Sequence, residues 1–170
     1  TLLIPLSFLI ATHLFKDKKI GLFSAFFVTL SSFLIRNTFG EASLIVLFLS
    51  MFGIYLGLLY LDTRKQLFII LSGISFGLGV LTKYNAPFFI LAFLVYSVVF
   101  LKIKKEKIFT RKHVIDLIIF MFIIFIFALP PLTFNYLLYK DKGIVDVYFS
   151  RLVQTEATQQ LYGGLAGQGN

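Results

Sequence analysis

The chain alternates long apolar runs with short polar connections up to residue 138. A helix needs about 20 apolar residues to cross roughly 30 Å of hydrocarbon. Some runs are shorter, but they fit when flanking Lys and Arg side chains reach the interface or the bilayer thins locally. The pattern therefore predicts an all-α polytopic membrane protein with about six transmembrane helices. The six runs are Leu2–Phe15, Ile20–Ile35, Ala42–Leu61, Leu67–Thr82, Ala86–Leu101 and Val114–Leu138.

The composition agrees with this class and excludes others. Of the 170 residues, 58% are hydrophobic and 14% are charged, and the mean hydropathy is +0.91, unlike an ordinary soluble domain. The chain has no cysteine, which excludes disulfides and thiolate metal sites. The net charge of +8 comes from basic residues between the apolar runs, so it indicates loop orientation and no nucleic-acid partner.

Basic residues are distributed unequally between alternate connections. Eleven of the 16 Lys and Arg residues fall in three alternate connections, and five fall elsewhere. Because cytoplasmic loops carry an excess of Lys and Arg, the three connections are predicted to face the cytoplasm. Arg36, Glu41 and Lys83 are then predicted to lie outside. The predicted domains are a transmembrane helical module, residues 1–138, and an outer loop or tail, residues 139–170. The three basic connections are residues 16–19, 64–65 and 102–112.

Glycines recur at helical spacing inside the third and fourth runs. Gly53 and Gly57 are four residues apart, as are Gly73 and Gly77. Small residues at this spacing let helices approach closely, so we predict that they serve helix packing and do not line a ligand groove. In the sixth run, the Pro-Pro pair at residues 130–131 is predicted to kink or end the helix, because each proline lacks a backbone donor.

Polar residues suited to chemistry gather on the predicted outer side, although no soluble-enzyme motif is present. Arg36 and Glu41 lie between the second and third runs, and Lys83 and Tyr84 follow the glycine-rich fourth run. An Arg and a Lys at headgroup level suit a lipid phosphate or pyrophosphate. A carboxylate such as Glu41 suits a general base, a metal ligand or a partner of Arg36. Alternatively, the two cations anchor helix ends and Glu41 begins the third helix.

Two stretches carry a resemblance to a known family. Residues Ser31–Glu41 read SSFLIRNTFGE, similar to an S-x-x-x-x-R segment followed by an acidic residue. Residues Leu71–Tyr84 read LSGISFGLGVLTKY, similar to a glycine-rich helix end that closes on L-T-K-Y. Both resemble the membrane module of GT-C glycosyltransferases, in particular the protein O-mannosyltransferase and lipid A aminoarabinose transferase group and the related RgtA/B/C/D-like domain. The family acid is usually aspartate, so Glu41 departs from the pattern.

The resemblance implies a reaction and a site. Such enzymes pass a sugar from a polyprenyl-phosphate donor to a protein or lipid acceptor on the outer face of the cell membrane, with inversion at the anomeric carbon. Arg36, Lys83 and Tyr84 would bind the donor phosphate. The usual catalytic base, an acidic residue of the first outer loop, is expected upstream of Thr1, with Glu41 as a further candidate.

Because the chain begins inside an apolar run, we expect it to be a fragment of a longer protein and to be inactive alone. Membrane lipids are expected partners. No metal ligand is assigned by the resemblance, and the requirement for a divalent metal is left open.

The alternative is a non-enzymatic membrane protein, such as a transporter half or an assembly subunit. A transporter is expected to show inverted repeats and broken helices with polar groups near the bilayer midplane. Here the charged residues fall at predicted helix ends, which favours the glycosyltransferase.

Overall fold

All secondary structure in the described part of the chain is helical. The computed structural model describes residues 2–31, 42–82, 86–105 and 110–142. The all-α prediction is therefore confirmed for these residues. The six helices are α1 (Leu3–Phe15), α2 (Lys18–Leu30), α3 (Ala42–Thr63), α4 (Gln66–Thr82), α5 (Ala86–Ile103) and α6 (Arg111–Lys142).

Length and hydropathy make three of these helices candidates to cross a membrane. They are the segments Ser43–Thr63, Ala86–Ile103 and Arg111–Asp141, whereas α1 and α4 are apolar but shorter. This agrees with a membrane protein of the all-α class. The prediction of six spans goes beyond these three candidates.

Helix α6 continues through the Pro-Pro pair at residues 130–131. It runs for 32 residues, from Arg111 to Lys142, with both prolines inside it. Of the two predicted outcomes, a kink or an end of the helix, the end is therefore excluded. Proline fixes φ near the helical value, so the chain can continue, but the carbonyls of Ile126 and Phe127 lose the N–H groups that would bond to them.

The chain divides into two compact units inside α6. The first unit comprises Thr1–Phe127 and the second comprises Ala128–Asn170. In the second unit, the described residues are the last turns of α6, where the Asn135 side chain donates a hydrogen bond to the Pro131 carbonyl at 2.9 Å. The first unit contains α1 to α5 and the N-terminal part of α6.

The centre of the first unit is the antiparallel pair α3 and α4. The Ser72 hydroxyl donates to the Gly53 carbonyl at 2.7 Å, and the Ser75 hydroxyl donates to the Leu49 carbonyl at 2.7 Å. Such bonds require the two helix backbones to lie close together, and they satisfy hydroxyl groups that would otherwise be costly to bury among apolar side chains. The pair is therefore fixed in register by its small polar residues.

Phenylalanine rings pack against two of the glycines that recur at helical spacing. A Cβ built on Gly53 would lie 2.9 Å from the Phe76 ring, and one on Gly57 would overlap the Phe93 ring. Phe76 is fully buried, and its ring centroid lies 5.9 Å from that of Phe93. The predicted role of the glycines in helix packing is confirmed here, because side chains of neighbouring helices fill the space that they leave. The spacing did not indicate that aromatic rings would fill it.

This packing predicts unequal effects for two glycine substitutions. Gly57→Ala places a methyl group against the Phe93 ring and is expected to lower the free energy of unfolding by about 1–3 kcal/mol. Gly73→Ala is the matched control, because its nearest atoms, on Ile123 and Phe120, lie at an ordinary 3.4 Å. Thermal unfolding of both variants in detergent measures the difference. Equal unfolding midpoints for the two variants would contradict the packing of the Phe93 ring against Gly57.

Candidate functional site

The four site residues predicted from the sequence, Arg36, Glu41, Lys83 and Tyr84, lie outside the described residues. The helices that lead into and out of their segments are described. Segment 32–41 joins the end of α2 to the start of α3, and segment 83–85 joins α4 to α5. The location of those four helix ends therefore bears on the predicted site.

The end of α2 and the start of α3, which border segment 32–41, lie at the same end of the first unit. Gly21 of α2 packs against Phe8 and Thr12 of α1, as expected for an antiparallel hairpin. His13, near the end of α1, contacts Asp62, near the end of α3. The C-terminal ends of α1 and α3 are therefore adjacent, and the end of α2 and the start of α3 lie at the opposite end of the unit.

The end of α4 and the start of α5, which border segment 83–85, lie at that same end of the first unit. Since α3 and α4 are antiparallel, the end of α4 lies beside the start of α3. A Cβ on Gly79 would lie 3.4 Å from the Ala86 Cβ and 3.7 Å from the Ser50 hydroxyl, so α5 also begins here. The helix ends that border segments 32–41 and 83–85 thus share one end of the first unit. We call this the predicted site end.

The other end is held together by Asp62. Its carboxylate lies 2.9 Å from His13 Nε2, 3.3 Å from Lys16 Nζ and 3.8 Å from Lys104 Nζ. These three partners belong to α1 and to the connections after α1 and α5. The contacts bring the first and third basic connections to the end of α3, where the second begins, so all three lie at one end of the unit, which we call the basic end. The membrane face to which this end belongs stays a prediction.

The helices that end at the basic end share a local conformation. Lys16, Arg64 and Lys105 all have a left-handed backbone, with φ of 55°, 57° and 54°. This conformation costs a residue with a side chain roughly 1–2 kcal/mol, which is why glycine is usual there. A basic side chain near a helix C-terminus interacts favourably with the helix dipole and offsets part of that cost.

A second polar cluster lies beside Asp62 and is more deeply buried. The Tyr60 hydroxyl donates to the Asp116 carboxylate at 2.6 Å, and only 3% of Asp116 is exposed. Arg64 Nη1 lies 3.1 Å from His113 Nε2, and Lys112 Nζ donates to the Arg64 carbonyl at 3.1 Å. The cluster therefore ties the end of α3 to the start of α6.

A cavity of about 470 Å³ opens beside this cluster. It is bounded by the end of α3, the start of α4, the C-terminal half of α5 and the N-terminal turns of α6. Apart from Tyr60, Arg64, Ser97, His113 and Asp116, its wall is hydrophobic. The described residues include no group of three or more His, Asp or Glu side chains able to hold a metal ion. This end therefore offers an apolar space with a polar rim.

Sequence reasoning missed Asp116 as a functional candidate. Asp116 is the sixth residue of α6, so it lies near a helix end as predicted, but it is buried. The signal was an acidic residue inside a long apolar run, which is costly in a membrane unless it has a partner. Its partner Tyr60 is 56 residues away, so the sequence alone did not indicate the pair.

The Tyr60–Asp116 bond predicts a specific loss of stability. Tyr60→Phe leaves a buried carboxylate without its donor and is expected to lower the free energy of unfolding by about 1–3 kcal/mol. Tyr55→Phe is the matched control on the same helix, because the Tyr55 hydroxyl makes no hydrogen bond in the described structure. Thermal unfolding of both variants provides the measurement. If both behave like the unsubstituted protein, the bond contributes nothing to stability.

Comparison with known proteins identifies the family. Comparisons with curated proteins and with solved structures give no match. A family model described as dolichyl-phosphate-mannose-protein mannosyltransferase matches residues 1–134. The match covers most of the chain and includes both segments that carry the predicted site residues. The chain therefore belongs to the dolichyl-phosphate-mannose-protein mannosyltransferase family, a glycosyltransferase family of the GT-C type.

Proposed function

We propose that the chain is part of a multi-pass membrane enzyme that transfers a sugar from a polyprenyl-phosphate donor to a protein or glycolipid acceptor on the outer face. Family membership supports glycosyl transfer of the mannosyltransferase type from such a donor. The observation that carries the finer proposal is the shared location of the helix ends at the predicted site end. It brings the attachment points of the Arg36 and Lys83 segments to one side of the first unit.

In this proposal, Arg36 and Lys83 bind the donor phosphate, and Tyr84 lies beside it. When the bond between the anomeric carbon and the phosphate oxygen breaks, negative charge develops on the departing polyprenyl phosphate. Cations already positioned at that oxygen stabilise the charge without reorganisation, which lowers the barrier. An Arg supplies two parallel donors, whereas a Lys supplies a compact charge.

The acceptor hydroxyl attacks the anomeric carbon from the opposite side and loses its proton to a carboxylate base. The configuration at carbon therefore inverts. Within residues 1–170 the candidate for this base is Glu41, but we propose that the principal base lies in a first outer loop that precedes Thr1. Arg36 and Glu41, five residues apart in the sequence, then have separate roles, one on the donor and one on the acceptor.

The orientation follows from the basic connections. We propose that residues 1–138 form the transmembrane module with the basic end in the cytoplasm, and that residues 139–170 lie outside. Cytoplasmic excess of Lys and Arg supports this orientation. Family membership favours the enzyme over the transporter half or assembly subunit considered as the alternative.

The test of the proposed phosphate site uses Lys83 in the full-length protein. Lys83→Gln removes a charged hydrogen bond to phosphate and is expected to weaken binding of a polyprenyl-phosphate sugar about tenfold or more. Lys83→Arg is expected to restore part of the affinity, because it keeps the charge with a different geometry. Binding is measured by titration of the purified protein, with thermal unfolding recorded alongside.

The matched control is Lys19→Gln, which removes one exposed Lys at the basic end. It is expected to leave donor binding unchanged. If Lys83→Gln binds the donor as tightly as Lys19→Gln does, Lys83 only anchors the helix end, and the proposed phosphate site loses its main residue.

A further inference from the structure

The cavity at the basic end has a mainly apolar lining, which suits a hydrocarbon chain. Its volume of about 470 Å³ lies within the roughly 300–1,000 Å³ of typical ligand cavities. The two hydroxyl groups in its wall are already used within the protein: the Tyr60 hydroxyl bonds to Asp116, and the Ser97 hydroxyl bonds to the Phe93 carbonyl at 2.8 Å. A polar ligand would find few donors inside. The apolar wall residues are Leu61, Ile69, Phe93, Leu94, Val98, Leu101, Val114, Leu117 and Phe120.

The wall is accessible from the side of the helices that carries exposed apolar residues. Val98 on α5 is 41% exposed, and Val114 and Leu117 on α6 are 39% and 44% exposed. In a membrane protein, exposed apolar side chains on candidate spanning helices contact lipid chains. The cavity therefore lies where a chain of the surrounding bilayer can enter between α5 and α6.

The rim of the cavity carries positive charge. Arg64 and His113 line the cavity, and the exposed Lys112, which is not part of its wall, donates to the carbonyl of Arg64. That partner is a neutral carbonyl, so this bond does not neutralise the Lys112 charge. The nearby carboxylate of Asp116 is buried and accepts the Tyr60 hydrogen bond, so an anion is favoured at the rim and disfavoured deeper in the cavity.

We propose that this cavity binds one acyl chain of an anionic phospholipid, with the lipid phosphate held at the adjoining surface by Lys112. Charge complementarity selects an anionic headgroup, and the hydrocarbon wall selects its chain. The site is distinct from the proposed donor site, because segments 32–41 and 83–85 are attached at the other end of the first unit. The lipid would stabilise the junction of α3, α5 and α6 and would not take part in the transfer.

The test compares lipid retention by the full-length protein. The protein is reconstituted in nanodiscs of phosphatidylcholine containing phosphatidylglycerol, extracted into mild detergent, and examined by native mass spectrometry. The wild type is expected to retain one phosphatidylglycerol in preference to phosphatidylcholine. Lys112→Gln should reduce that preference about tenfold, since a charged hydrogen bond to the phosphate is lost. Lys65→Gln removes another exposed Lys of the basic end but keeps the bond from Lys112 to the Arg64 carbonyl, so it should leave the preference unchanged.

A second variant tests the chain position independently of charge. Val98→Trp fills the cavity and should abolish lipid retention, while thermal unfolding in detergent without phosphatidylglycerol stays near that of the wild type. The proposal is overturned if the wild type shows no preference, if Lys112→Gln matches Lys65→Gln, or if Val98→Trp still retains the lipid. Displacement of the retained lipid by added polyprenyl phosphate would also overturn it, because the cavity would then belong to the donor.

Discussion

The exclusion of charge from hydrocarbon organises the first unit. Asp62 shows its effect most directly, since it gathers His13, Lys16 and Lys104 at one end. Asp116, a charged residue near the start of α6, is accommodated by burial against the Tyr60 hydroxyl. Three alternate connections lie at this end. Because consecutive helices are antiparallel, the remaining connections must lie at the opposite end. The predicted site end is a consequence of this separation.

Small residues and aromatic rings determine how the helices of the apolar interior pack against one another. Serine hydroxyls fix the register of α3 and α4, and glycines on the same two helices accept rings from their neighbours. Without a hydrophobic driving force between helices in lipid, such close packing and interhelical hydrogen bonds are what hold a bundle together. The glycine-rich α4 therefore supports the segment that carries Lys83, even though its glycines bind no ligand in this account.

The apolar runs predicted the helices well because hydropathy decides where a chain enters hydrocarbon. The start of α4 was predicted at Leu67 and lies at Gln66, and its end lies at Thr82 as predicted. The prediction for α2 was wrong at its end, because the helix stops at Leu30 with an extended Ser31 and does not reach Ile35. The Pro-Pro pair at residues 130–131 was less predictable, because proline is compatible with either an interrupted or a continuous helix. The Tyr60–Asp116 pair was out of reach, since it depends on how α3 and α6 pack. The roles of Arg36, Glu41, Lys83 and Tyr84 stay predictions.

The central claim is that the predicted site end faces the outside and the basic end faces the cytoplasm. The chain has no cysteine, so single cysteines can be labelled without background. In intact cells, a membrane-impermeant thiol reagent should label Asn85→Cys, whereas Lys105→Cys should react only after permeabilisation. The reverse pattern would contradict both the orientation and the placement of sugar transfer on the outer face.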